Sequence, residues 1–308
     1  MTGTDATRFP STASRSRRLL AALMLFAIAV AGLALGARRV PAPPLVGEGF
    51  SSEPLAVDAE SRIIRLATFN IARGRGKDGV TNLSRTAEQL KGYDLVGLNE
   101  VGAGFSGATG SDVQLIGDAL HMPWLYAPTE WRFWRPHFGN GALSMLPVKG
   151  WVSVPLVSTQ AAGHRNVVVV QIERGGTVVN VMITHLDRGP DRQAQLAAVA
   201  TLFRSLAEPA VLMGDLNTRP SDRLLEAITS IPGVREPLAE IADASPGRID
   251  YIFTRGLETR DAGTEDEGAS DHPLVWAEVV VPAEVIRDAR LPADGGGNGQ
   301  IPHPVAPR

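Results

Sequence analysis

Apolar residues along this chain come in short runs, and several of the runs stop at an amide, an acid or a histidine. Ile63 to Phe69 closes at Asn70, and Asp94 to Leu98 leads to Glu100. Short runs rich in β-branched and apolar residues, bounded by polar or turn residues, predict strands. Between these two, Leu83, Ala87 and Leu90 share one face at helical spacing, with Thr81 or Asn82 placed to cap them. The result is a strand–helix–strand unit that puts Asn70 and Glu100 at equivalent strand ends.

The same reading continues downstream. Val113 to Leu120 predicts a helix, and Gly141 to Met145 a short strand. Val167 to Ile172 and Val178 to Thr184 form a hairpin around Gly175-Gly176, and its second arm ends at His185. Leu196, Val199 and Phe203 make one apolar face of a helix from Arg192 to Leu206. Ala210 to Gly214 is a strand ending at Asp215, and Arg223 to Ile228 is helical. Arg248 to Phe253 and Pro273 to Val281 are the last strands. Strands outnumber helices, and hairpins alternate with crossovers. That pattern predicts a mixed α/β domain with helices packed outside the sheets.

The chain ends read differently. Leu19 to Ala37 carries no charge, and at helical rise its length just crosses a hydrocarbon core of about 30 Å. Arg8, Arg15, Arg17 and Arg18 precede it, against Arg38 and Arg39 after it. The heavier positive side stays in the cytoplasm, so the rest of the chain is expected outside. A cleaved signal, cut near Ala34-Leu35-Gly36, is the competing reading, and a buried core helix is a third. The expected organisation is a basic cytoplasmic N-terminus over 1–18, an anchor or signal over 19–37 and a Pro/Gly/acid-rich linker over 38–60. The folded domain then spans 61–282, and a Gly/Pro-rich disordered tail spans 283–308.

Hydrophobic residues make up 44% of the chain, enough for a sizeable core, and cysteine is absent. Disulfides, thiolate metal sites and thiol chemistry are therefore excluded. Any metal must be held by oxygen and imidazole, which favours Mg²⁺, Mn²⁺ or Ca²⁺ and leaves zinc possible. Residues 45–282 hold 21 Lys and Arg against 29 Asp and Glu, a net charge of −8. A protein binding chiefly by neutralising many phosphates would be basic. Acids gathered around a cation account for part of this imbalance.

The candidate chemistry lies at the strand ends. Gly214-Asp215-Leu216-Asn217, Arg248-Ile249-Asp250-Tyr251 and Ser270-Asp271-His272 place carboxylates, an amide and an imidazole beside apolar runs. Singly, each has an ordinary reading: an Asx turn for Asp215 to Asn217, a strand-entry cap for Asp271-His272, a helix-start acid for Glu100, a satisfied core histidine for His185. Together with Thr68-Phe69-Asn70, Leu98-Asn99-Glu100, Gly139-Asn140-Gly141-Ala142-Leu143-Ser144 and Thr184-His185-Leu186, they keep one order along the chain. That ordered set resembles the endonuclease/exonuclease/phosphatase superfamily, from about Ile63 to Val281. The resemblance implies a four-layer α/β/β/α sandwich: two packed mixed β-sheets flanked by helices, here preceded by the N-terminal transmembrane helix.

The resemblance also implies roles. Glu100, Asn70 and Asp271 would hold Mg²⁺. Asp215 and Asn217 would orient the attacking water or bind a second ion, His272 would pair with Asp250, and His185 would be a second catalytic imidazole. Residue chemistry agrees, because a cation between carboxylates neutralises the charge that repels nucleophiles from a phosphoester. An Asp–His pair fixes the imidazole tautomer and raises its basicity. One departure stands out: Met145 follows Ser144 where many members carry Arg.

Asn140 and Arg165 are candidate substrate contacts, as are Trp131 and Trp134 in the segment Trp131-Arg132-Phe133-Trp134-Arg135-Pro136-His137. Its aromatics could stack bases, sit at a membrane interface or fold onto the domain. The expected activity is hydrolysis of phosphodiesters, in nucleic acid or a phospholipid headgroup, outside the cytoplasmic membrane. The expected partners are that substrate and the membrane, with no obligate protein partner. The alternative is a non-catalytic, membrane-tethered binding module that keeps the fold.

Overall fold

The computed structural model describes residues 12–36, 40–52, 58, 60–103, 110–131, 138–159, 163–241 and 244–283. In chain order the elements begin with helix α1 (Thr12–Gly36) and strands β1 (Val40–Pro41), β2 (Leu45–Gly47) and β3 (Ile63–Asn70). Helix α2 (Leu83–Gln89), β4 (Leu95–Val101), α3 (Asp112–Leu120), β5 (Trp124–Pro128) and β6 (Glu130–Trp131) follow. The middle of the domain holds β7 (Gly139–Ser144), β8 (Val148–Pro155), β9 (Asn166–Arg174), β10 (Thr177–His185) and α4 (Arg192–Ser205). The last part holds β11 (Ala210–Asp215), α5 (Glu226–Thr229), α6 (Pro237–Ile241), β12 (Asp250–Arg255), β13 (Glu258–Glu265) and β14 (Leu274–Val280).

Two six-stranded sheets form the body, in the orders β12-β11-β10-β9-β8-β2 and β13-β14-β3-β4-β7-β5. Both are mixed. Each has one parallel pair, β10–β11 in the first and β3–β4 in the second, among antiparallel neighbours. Both parallel pairs need a crossover, and α4 and α2 supply it. Asn82 caps α2, its side chain accepting the Arg85 N–H.

Three apolar layers hold the sandwich. Between the sheets lie Leu66, Val170, Val181, Met213, Ile252 and Val279. Val199, Phe203 and Ile228 cover one sheet from outside, and Ile116 and Leu90 cover the other. Each fully buried aliphatic side chain is worth about 1.5–3 kcal/mol. Strands buried on both faces read as continuous apolar runs, as the β9–β10 hairpin does.

Residues 40–52 depart from the expectation of a linker. Leu45–Gly47 pairs antiparallel with β8 at the edge of the first sheet. Trp151 Nε1 donates to the Gly49 carbonyl at 2.9 Å, and Trp124 N donates to Ser51 Oγ at 3.0 Å. The segment covers backbone groups that β8 would otherwise leave open. Only three residues pair, too few to leave a hydrophobic pattern.

Helix α1 contains one stretch, Ser16–Ala34, long and apolar enough to cross a membrane, with mean hydropathy 1.9. Its side chains from 16 to 33 are exposed.

Candidate active site

Strand direction and register gather the polar residues. A parallel pair presents the C-terminal ends of both strands on the same side. In β3–β4, Asn70 ends β3 and pairs with Asn99, two residues before the end of β4. In β10–β11 the ends are His185 and Asp215, which are register partners. Strand β12 runs antiparallel to β11, so its first residue, Asp250, pairs with Asp215. Antiparallel to β3, β14 starts at Leu274, directly after Asp271-His272-Pro273. Six strands from two sheets thus deliver one cluster.

Asn70 is its hub. Its Nδ2 donates to Asp215 Oδ2 at 3.1 Å and Glu100 Oε1 at 3.3 Å, and lies 3.5 Å from His272 Nε2. Its Oδ1 accepts the Ala72 N–H at 3.2 Å. An N–H donor on Oδ1 fixes the amide orientation. Asn70, expected as a metal ligand, therefore presents a donor to the carboxylates and positions them.

Two backbone distortions aim the acids. Glu100 has φ of 55°, left-handed for a residue with a Cβ, and it sits where β4 slips register against β7 between Leu98 and Val101. A bulge re-aims a side chain in this way, and such strain concentrates at functional sites. Gly214, at φ 139°, has no room for a side chain, because a Cβ would lie 1.9 Å from the Thr184 carbonyl.

Asp215 is fully buried. Its Oδ1 accepts the Asn217 N–H at 2.9 Å, and its own N–H donates to Asn99 Oδ1 at 2.9 Å. Burial, and then the charge of Asp250, push its carboxyl up to about 7. Asn217, at φ 48°, is tied by its Nδ2 to the Leu186 carbonyl at 2.8 Å. Asp250 Oδ2 lies 2.7 Å from His272 Nδ1. Burial works against the His272 imidazolium, but the Asp250 hydrogen bond and the charges of Asp250, Asp215 and Asp271 outweigh it and hold the group up at about 9.

The second imidazole behaves oppositely. His185 Nδ1 lies 3.1 Å from Arg165 Nη1. Arginine only donates, so Nδ1 carries the lone pair and the ring proton sits on Nε2. That nitrogen is 3.4 Å from Asp215 Oδ2, a close approach without hydrogen-bond geometry. Burial first, then the charges of Arg165, His272 and Arg188, hold His185 well below the usual histidine range. The site thus pairs one charged imidazole with one neutral one.

Behind the acids lies a polar layer that sequence reasoning missed. Asn99 Nδ2 donates to Asn140 Oδ1 at 2.7 Å, and Asn140 Nδ2 donates to Asn166 Oδ1 at 2.7 Å. Asn166 Nδ2 reaches Ser153 Oγ and the Ala127 and Pro128 carbonyls at 3.0–3.2 Å. All three asparagines are buried. Asn140, expected to touch substrate, has its amide engaged inside the protein and links the two sheets instead. The only signal for this layer was asparagine beside apolar strand residues, in Leu98-Asn99 and Asn166-Val167.

The remaining expectations fall at the edges. Asp271 is exposed. Ser270 Oγ joins its turn to the site, donating to the Asn70 carbonyl at 2.6 Å and lying 3.2 Å from Asp271 Oδ1. Arg165 is in the site, as its contact with His185 shows. Trp131 ends the short strand paired with Val40–Pro41. Trp134 lies outside the described residues.

The residues fit a hard cation. Asp215, Asp250 and His272 offer ligand atoms within 4.8 Å of one another, and Asp250 Oδ1 is buried with no hydrogen-bond partner. Yet His272 Nδ1 is engaged by Asp250, and an imidazolium does not ligate. The carboxylate oxygens of Glu100 and Asp215, which share the Asn70 Nδ2 donor, therefore suit a cation better than the His272 nitrogens do.

Buried carboxylates, a charged Asp–His pair and a neutral imidazole at the strand ends of a sheet sandwich define a phosphoester-hydrolase type of site. The chain belongs to the Endonuclease/Exonuclease/phosphatase family, whose model matches residues 67–272. Among solved structures, an endonuclease/exonuclease/phosphatase from Beutenbergia cavernae matches at 22% identity and TM-score 0.59, over 71% of this chain and 72% of that one. A mannosyl-6-phosphatase from Bacteroides thetaiotaomicron matches at 16% and 0.57, over 70% and 99%. The human Nocturnin catalytic domain with bound sulfate matches at 16% and 0.58, over 73% and 96%. A comparison with curated proteins found no match.

Proposed function

We propose that this protein is a Mg²⁺-dependent phosphodiesterase, held to the outer face of the cytoplasmic membrane by α1. The observation that carries the reading is the convergence of Asp250–His272, Asp215, Asn70 and Glu100 at one set of strand ends. Glu100 and Asp271 would hold the cation, with Mn²⁺ or Ca²⁺ as substitutes for Mg²⁺, and Asn70 positions Glu100. When bound, the cation neutralises phosphoryl charge and stabilises the charge that develops during displacement.

The other roles belong to the chain's own groups. His272, kept charged by Asp250, presents Nε2–H to a phosphoryl oxygen. Asp215, with a carboxyl near neutrality, takes a proton from the attacking water. Asn217 holds Asp215 through its backbone N–H. His185 stays neutral and offers Nε2–H, and Arg165 fixes that tautomer while adding positive charge. Support for the membrane anchor is the exposed apolar Ser16–Ala34 stretch and the arginines before it.

Assay of the full chain in detergent against bis-p-nitrophenyl phosphate, plasmid DNA and sphingomyelin, with Mg²⁺, Mn²⁺ or EDTA, tests the activity. Metal-dependent turnover of at least one diester is expected. Absence of any turnover would instead favour a tethered binding module.

A further inference from the structure

The sequence shows no cluster of basic residues near the acidic motifs, and the domain is acidic throughout. The fold nevertheless assembles one. A cleft beside the site has Arg188, Arg192, Asn217, Arg219, Asp222 and Ile249 among its lining residues. Asn217 and Ile249 tie it to the reaction centre, since they neighbour Asp215 and Asp250 in the chain. Arg188 lies in the loop after β10, Arg192 opens α4 and Arg219 lies in the loop after β11, and the parallel pairing of β10 and β11 brings them together.

The three arginines are not equivalent. Arg192 is part of the frame: Nη1 donates to the Asn217 carbonyl at 2.6 Å, and Nη2 pairs with Asp222 at 3.2 Å. That pair neutralises the one acid in the cleft lining. Arg188 and Arg219 are exposed, and among the described residues their side chains have neither a carboxylate partner nor a hydrogen bond. Many other basic side chains of the domain are paired, as in Arg85–Asp78, Arg235–Glu240, Arg248–Glu236 and Arg255–Glu208. Two uncommitted guanidiniums across a cleft suit an anion with several acceptor oxygens.

We propose that Arg188 and Arg219 form a subsite for a second phosphate group of the substrate, next to the diester that is cleaved. The inference rests on the phosphodiesterase reading and narrows its substrate class to diesters bearing another phosphate. Two free arginines seat one phosphate. A long nucleic-acid strand would require a track of such contacts, which the net charge of −8 over 45–282 disfavours. Small bis-phosphorylated substrates therefore fit better than polymers.

The test compares diesters that differ by one phosphate, using the full chain in detergent with Mg²⁺. One arm uses thymidylyl-thymidine with and without a 5′-terminal phosphate. The other uses glycerophosphoinositol with and without a ring phosphate. Wild type should prefer the phosphorylated member in at least one arm by about tenfold in kcat/KM, the size of one charge-assisted contact. In Arg188→Ala/Arg219→Ala the ratio should fall to within about twofold, since the rim contact is gone. The arm with the larger ratio names the source of the second phosphate. A wild-type ratio near one in both arms, or a preference unchanged in the double variant, would overturn the subsite. Lack of metal-dependent turnover of every diester is a separate result, and it would overturn the phosphodiesterase reading and the subsite with it.

Discussion

Asp250 Oδ2 and His272 Nδ1 meet at 2.7 Å across the two sheets. Asp250 opens β12 of one sheet, and His272 stands two residues before β14 of the other. The bond therefore joins the two halves of the sandwich at the reaction centre. His272→Ala should lower kcat by about 10²–10³-fold with little change in KM, as loss of a charged donor to the developing oxyanion does. Asp250→Asn keeps the shape and removes the charge that holds the imidazolium. Its activity should be lost at lower pH than in wild type, which a pH–rate profile of the two proteins would reveal.

The two titrating groups set the pH window. Asp215, pushed up to about 7, must be ionised to take a proton, so activity should rise as pH passes through that value. His272, held at about 9, must be charged, so activity should fall above it. A bell-shaped kcat/KM profile with its plateau between these limbs is expected. Because cation binding favours the ionised carboxylate, the acid limb should move to lower pH as Mg²⁺ is raised. A profile flat from pH 5 to 10 would remove both residues from the mechanism.

Stability should follow the same groups. A folded-state value for His272 above the unfolded one contributes stability that is complete below about 6.5 and disappears as pH climbs through about 9. In His272→Ala the midpoint of thermal unfolding should lose that dependence, and scans in EDTA at pH 6, 8 and 10 would show it. Equal pH dependence in both proteins would contradict the assignment.

Asn140 separates positioning from substrate contact. Replacing it with Ala leaves Asn166 Oδ1 buried without its donor and Asn99 Nδ2 with the Thr184 carbonyl as its remaining acceptor, at a cost of about 1–3 kcal/mol. Unfolding in urea should show that loss. Because the chain Asn166–Asn140–Asn99 ends on the Asp215 backbone N–H, kcat should fall while KM stays near wild type. A rise in KM with unchanged kcat would restore Asn140 as a substrate contact.

The polar ends of strands were legible in the sequence because each follows an apolar run, and strand pairing alone then brings them together. Asn70, His185 and Asp215 end β3, β10 and β11 as that reading predicts and Glu100 lies one residue before the end of β4, whereas Asp250 opens β12 instead of lying inside a strand that begins at Arg248. Contacts that form only across the sheets left little trace, as with the Asn99–Asn140–Asn166 chain or the amide orientation of Asn70. Strand β13, Glu258–Glu265, was missed because its residues are mostly polar and exposed, which leaves no alternation to find. The arginine cleft was invisible for a related reason: Arg188 and Arg219 are far apart in the chain and become neighbours only through the β10–β11 register.

Turnover of bis-p-nitrophenyl phosphate by wild type, Glu100→Ala and His272→Ala, each with Mg²⁺ and with EDTA, tests the central claim most directly. Wild type should be active with Mg²⁺ and silent in EDTA. Both variants should lose about 10²-fold or more in kcat/KM, and added Mg²⁺ should partly restore only Glu100→Ala. Metal-dependent turnover that survives both substitutions would contradict the site described for this fold.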